Sequence, residues 1–81
     1  ALNFRVYSPA GRLLAVTRDA GDAAVVVRRY GVNSHVRLGH HKRGVIFTVT
    51  DDNYDDAEDW EWVVDQILEG ERAFNAEGGA K

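Results

Sequence analysis

Residues 45–69 read VIFTVTDDNYDDAEDWEWVVDQILE, and a change of period inside this stretch decides the fold. Val45, Phe47 and Val49 alternate with Ile46, Thr48 and Thr50, the pattern of a half-buried strand with the first three toward the core. Asp51 to Asp56 is an acidic connection. Beyond it Ala57, Trp60, Val64, Ile67 and Leu68 recur at helical spacing, with Val63 at the edge of the stripe. The spacing predicts a helix from about Asp55 to Glu69. Gly70 is expected to end it, because a longer helix places Glu71 in the middle of the apolar stripe.

Upstream, Leu2, Phe4 and Val6 alternate with Asn3, Arg5 and Tyr7, another half-buried strand. Ser8-Pro9-Ala10-Gly11 is turn chemistry, since Pro presets φ and Gly tolerates positive φ. Arg12 to Thr17 then forms a second strand and closes a hairpin, with Leu14 and Val16 on one face and Leu13 and Ala15 on the other. Thr17 or Asp19 can cap a helix whose stripe is Ala20, Ala23, Ala24, Val27 and Tyr30. Asp22 in its first turn and Arg28 and Arg29 in its last suit the helix dipole, and Gly31 closes it. Val32 to Leu38 is a third strand, and the Gly39–Gly44 segment is a loop carrying His40, His41, Lys42 and Arg43.

The resulting order is ββαββα. It predicts an α+β two-layer sandwich, a four-stranded antiparallel sheet with two helices on one face. The other face is then open and shows Arg5, Tyr7, Leu13, Ala15, His35, Arg37, Ile46 and Thr48. Eighty-one residues make one domain, expected over 1–75 with a flexible tail at 76–81. With no cysteine, disulfides and thiolate zinc sites are excluded and a reducing cytoplasm is tolerated. Apolar runs are too short to span a membrane and no signal peptide is visible, so a cytoplasmic location is expected.

Charge is divided along the chain. Residues 1–50 carry eight Lys/Arg and two Asp, a balance of +6. Residues 51–81 carry eleven Asp/Glu and two Lys/Arg, a balance of −9. Local field rather than net charge sets which partners a surface attracts. Asp51, Asp52, Asp55, Asp56, Glu58, Asp59, Glu61, Asp65 and Glu69 form a carboxylate ridge on the last helix and the loop before it. Such a ridge roughly imitates the phosphate spacing of a nucleic-acid backbone. Trp62, about 200° from Trp60 on the helical wheel, falls among these carboxylates, and exposed Trp is enriched in binding hot spots. Trp60 is expected in the core.

Two constellations follow. The acidic one, Asp55, Asp56, Glu58, Asp59, Glu61, Trp62 and Asp65, carries the first reading, a non-enzymatic contact surface for a protein with a basic groove, and the basic one is the alternative to it. In that reading the carboxylates steer encounter and Trp62 supplies desolvated contact area. The basic one is His35, Arg37, His40, His41, Lys42 and Arg43, which beside Arg5 and Tyr7 on an open sheet offers phosphate contacts and base stacking. Neither predicts a cofactor or a metal: two adjacent His without a nearby carboxylate make a poor site. There is no phosphate-binding glycine loop, and neither Ser8 nor Ser34 sits at a nucleophile elbow. A homo-oligomer joining the basic body of one copy to the acidic helix of another is a third arrangement.

Two resemblances bear on these constellations. A helix ending Arg29-Tyr30-Gly31, then Ser34-His35-Val36-Arg37, then Val45 to Val49 and a terminal helix resembles the HicA family of toxin mRNA interferases. Those are small double-stranded-RNA-binding-like folds with a catalytic His on a strand after Gly-Ser. The resemblance implies ribonuclease activity with His35 as that residue, Asn33 standing where the family has Gly. In size and charge the whole chain also resembles the small acidic inhibitors of phages and mobile elements, of the anti-CRISPR and DNA-mimic anti-restriction kinds. That likeness implies a non-enzymatic inhibitor that blocks a nucleic-acid-binding surface of a host defence protein.

Overall fold

The computed structural model describes residues 3–39 and 44–78. Strands β1 (Phe4–Tyr7) and β2 (Leu13–Thr17) precede helix α1 (Ala20–Tyr30). Strands β3 (His35–Leu38) and β4 (Val45–Thr48), a 3-10 turn at Asp56–Glu58 and helix α2 (Trp60–Ala76) follow. The strands form one antiparallel sheet in the order β2-β1-β3-β4, so the ββαββα arrangement expected from the sequence is present. No helix among the described residues is long and apolar enough to cross a membrane.

Helix α1 starts where Asp19, in extended conformation, accepts the Gly21 N–H at 3.0 Å, while Thr17 Oγ1 accepts from the Asp19 N–H. Both residues that the sequence offers as caps are therefore used, in series. Ala20, Ala23, Ala24 and Val27 are buried as expected, but Tyr30, the last residue of the helix, is exposed. After Gly31 the chain turns through Asn33 at φ 75°, a left-handed position that Asn tolerates better than most residues. The core is Phe4, Val6, Val36, Leu38, Phe47 and Val49 from the sheet and its margin, closed by the alanine face of α1 and by Val63, Ile67 and Phe74 of α2.

Two bulges alter the expected faces. Val6 pairs with Ala15 and Tyr7 with Leu13, which leaves Leu14 unpaired. From that point Ala15 lies on the core side with Val6, and Val16 points outward beside Arg5, 47% exposed. On the other edge Val36 pairs with Phe47 and Arg37 with Val45, leaving Ile46 unpaired. Val45 therefore points out, and Ile46 is half-buried against the core, the reverse of strict alternation. An extra residue in one strand resets every face beyond it, which a period-two reading cannot register.

The second helix also departs from expectation. It begins at Trp60 rather than near Asp55, because Asp59 caps it, accepting from the N–H groups of Glu61 and Trp62 at 3.0 and 3.4 Å. It runs through Gly70 to Ala76 and buries Phe74. Gly70 marks where α2 crosses β4 most closely: a Cβ there would stand 2.3 Å from the Ile46 carbonyl oxygen. The glycine serves close approach, and the helix pays for it with a weak interior position rather than stopping. Glu71 is half-buried. Ala76, placed by expectation in the tail, is the last residue of α2; residues 79–81 lie outside the described residues.

Candidate functional site

The open face of the sheet is built from two rows that cross all four strands. One row is Leu13, Tyr7, His35 and Thr48, each the register partner of the next. The other is Val16, Arg5, Arg37 and Val45. The central strands β1 and β3 thus present rings side by side in one row and arginines side by side in the next. Alternation along each strand produces this: Arg5 and Tyr7 are two residues apart on β1, His35 and Arg37 two apart on β3.

The rings and guanidinium groups touch. Tyr7 and His35 stack with centroids 5.3 Å apart and planes 12° from parallel. The Arg37 guanidinium carbon stands 4.5 Å from the Tyr7 ring centre, a cation–π contact. Arg37 Nε–H donates to His35 Nε2 at 3.3 Å, so the imidazole proton lies on Nδ1, which donates to the Asn33 carbonyl at 3.1 Å. Arg5 Nε–H donates to the Tyr7 hydroxyl oxygen at 3.3 Å. All four side chains are half-buried.

The electrostatics of this face are one-sided. Arg5 and Arg37 are directly opposite on neighbouring strands, an arrangement of like charges that destabilises a sheet. None of the four described strands carries an Asp or Glu to offset them. Exposed Arg12 and Arg18 bracket β2 at its two ends. His40, His41, Lys42 and Arg43, which the sequence places in the same basic group, lie outside the described residues. His35 and Arg37 do come together, and Arg5 and Tyr7 join them.

Most of the carboxylates lie on helix α2 and the connection before it. Asp55, Asp56, Glu58, Asp59, Glu61 and Asp65 are all exposed, as are Asp51, Asp52 and Glu69. Asn53 organises the connection: its side chain accepts the Thr50 N–H at 2.8 Å and donates to the Thr48 carbonyl at 3.0 Å. Arg28 reaches from α1 to the 3-10 turn, donating to the carbonyls of Ala57 (2.7 Å) and Glu58. Arg28, Val49, Tyr54, Ala57 and Glu58 line a shallow cleft of about 90 Å³ there.

The two tryptophans exchange the places that the helical wheel assigns them. Trp62 is half-buried and packs edge-on against Phe47 at 6.0 Å. Trp60 is 42% exposed and lies over the start of α1, where its Nε1–H donates to the Gly21 carbonyl at 3.0 Å. The face that packs is rotated from the expected stripe: Val63 and Ile67 are at its centre, Leu68 is exposed, and Trp62, one residue before Val63, lies at its edge. The exposed aromatics beside the carboxylates are therefore Trp60 and Tyr54, both missed as surface groups by sequence reasoning. The Asp59 capping preference, which favours a start at Trp60, was the signal available.

Among the described residues no group of three or more His, Cys, Asp or Glu is placed to hold a metal ion. Comparison with protein-family models, curated proteins and solved structures gives no match.

Proposed function

We propose that this chain is a non-enzymatic binding module that takes nucleic acid on the open face of its sheet. The observation that carries the reading is the unbalanced arginine pair Arg5–Arg37 beside the Tyr7–His35 stack. A like-charged pair kept on central strands without a carboxylate is a cost that an anionic ligand relieves. Rings and guanidinium planes next to it suit bases, and the phosphates fall to the arginines. The acidic helical layer repels phosphate, so a bound strand engages one face only.

Fluorescence anisotropy with a labelled oligonucleotide at low salt tests this. Arg37→Ala removes a phosphate contact and a cation–π partner, and is expected to weaken binding by about 1–3 kcal/mol. Contacts from Arg5 and Arg37 to two phosphates give a log–log salt slope of about −1.5 or steeper. Binding that ignores both salt and Arg37 sinks the proposal. The HicA-like alternative makes His35 a catalytic residue. In the described geometry both its ring nitrogens are already engaged by Arg37 and Asn33. RNA cleavage abolished by His35→Ala would replace the binding reading with the enzymatic one.

A second reading rests on a separate observation. Trp60 and Tyr54 stand exposed among Asp55, Asp56, Glu58, Asp59 and Glu61, so the acidic layer has aromatic anchors of the kind that dominate protein interfaces. In this reading the layer docks a protein with a basic, nucleic-acid-binding surface, as an inhibitor of a phage or mobile element would. Its test is the affinity for an arginine-rich peptide of a variant with Asp55→Asn, Glu58→Gln, Asp59→Asn and Glu61→Gln. Asn at 59 preserves the helix cap. Unchanged affinity rules this reading out.

A further inference from the structure

We infer that the sheet face is selective for single-stranded over double-stranded nucleic acid, an inference that rests on the nucleic-acid reading above and specifies its ligand. The ring row and the arginine row are set two residues apart along β1 and β3, about 7 Å by strand rise. Bases and phosphates of one extended strand can lie on the two rows at once, the backbone following Arg5 and Arg37 across the strands. A duplex offers only half of this match: its phosphates reach the arginines, but its base faces are stacked inside the helix.

Reading a groove from outside takes side chains that project, carried by a helix or a ribbon. The groups here do the opposite. Arg5, Tyr7, His35 and Arg37 are half-buried and tied to one another, so they form a floor rather than a probe. Exposed Leu13 and Val16 on β2 and Val45 on β4 extend the floor with apolar surface at both edges. Apolar surface of this kind gains nothing from a phosphate backbone, and it is the natural neighbour of unstacked bases. Ring stacking is tolerant of base identity, so the selectivity is for strandedness rather than sequence.

The experiment compares a labelled 12-nucleotide single strand, as DNA and as RNA, with a 12-base-pair duplex of the same sequence, by anisotropy at low salt. The single strand is expected to bind at least about tenfold more tightly. Tyr7→Leu keeps apolar bulk but removes the ring face, together with the ring and hydroxyl that hold Arg37 and Arg5, and is expected to cost the single strand about tenfold more than the duplex. Arg37→Lys, which keeps the charge and removes the planar group, should repeat that asymmetry and stands in if Tyr7→Leu melts early. Where the single strand outbinds the duplex, a preference for either sugar names the source. Equal affinity for duplex and single strand, or a Tyr7→Leu loss of equal size in both, overturns it while leaving the nucleic-acid reading intact. No retention of any nucleic acid overturns both.

Discussion

Arg37 is held at two points, by its Nε–H on His35 and by its guanidinium over Tyr7, at the position paired with Arg5 in the sheet register. The same residue-by-residue logic separates the tryptophans. Trp62→Ala opens a hole beside Phe47 and is expected to cost about 2–3 kcal/mol, a large share of the stability of so small a domain. Trp60→Phe removes the hydrogen bond to Gly21 and the part of the indole that lies against it, at an exposed position, and is expected to cost about 1 kcal/mol. Urea titration of both variants checks the order, and equal losses would return Trp60 to the core. Ser34 is a third case. It is fully buried, and its Oγ has no hydrogen-bond partner among the described residues. Ser34→Ala is therefore expected to be neutral or to stabilise by up to about 1 kcal/mol, a rise of several degrees in Tm. Arg5, Tyr7, His35 and Arg37 were legible in the sequence as one open face, because alternation alone puts them there. Their mutual contacts were not, since β1 and β3 are separated in the chain by β2 and α1 and no short turn fixes their pairing or register.

At the scale of elements, α2 shows how one close approach sets a helix. Gly70→Ala is expected to cost about 2 kcal/mol or more despite the better helix propensity of Ala, because its Cβ meets the Ile46 carbonyl. A thermal melt in which Gly70→Ala is neutral or stabilising would mean that α2 and β4 are not so close. Asp59→Ala is expected to cost about 1 kcal/mol through the lost cap, with the helical signal of the first turn reduced. The number and order of elements were readable from periodicity, and so was the capping of α1. The bounds of α2 were not. Gly and Glu at positions 70 and 71 look like a stop locally, and only the crossing with Ile46 explains why a helix keeps a glycine there. The bulges at Leu14 and Ile46 escaped for a related reason: both residues are apolar, and either face accepts them in a short strand.

For the whole molecule, the division of charge along the chain becomes a contrast between the open face of the sheet and helix α2 with the connection before it. The strands carry Arg5 and Arg37 and no carboxylates, while the connection after β4 and helix α2 hold most of the exposed acidic groups; helix α1 carries Asp22, Arg28 and Arg29. The two surfaces make opposite predictions about partners, so a residue-resolved binding experiment separates them. The most direct is a titration of isotope-labelled protein with an unlabelled single-stranded oligonucleotide, followed by backbone amide NMR. The account predicts that Arg5, Tyr7, His35 and Arg37 and their strand neighbours shift first, while the amides from Asp55 to Asp65 stay in place. Shifts confined to the acidic layer, or none on β1 and β3 at saturating oligonucleotide, would contradict it.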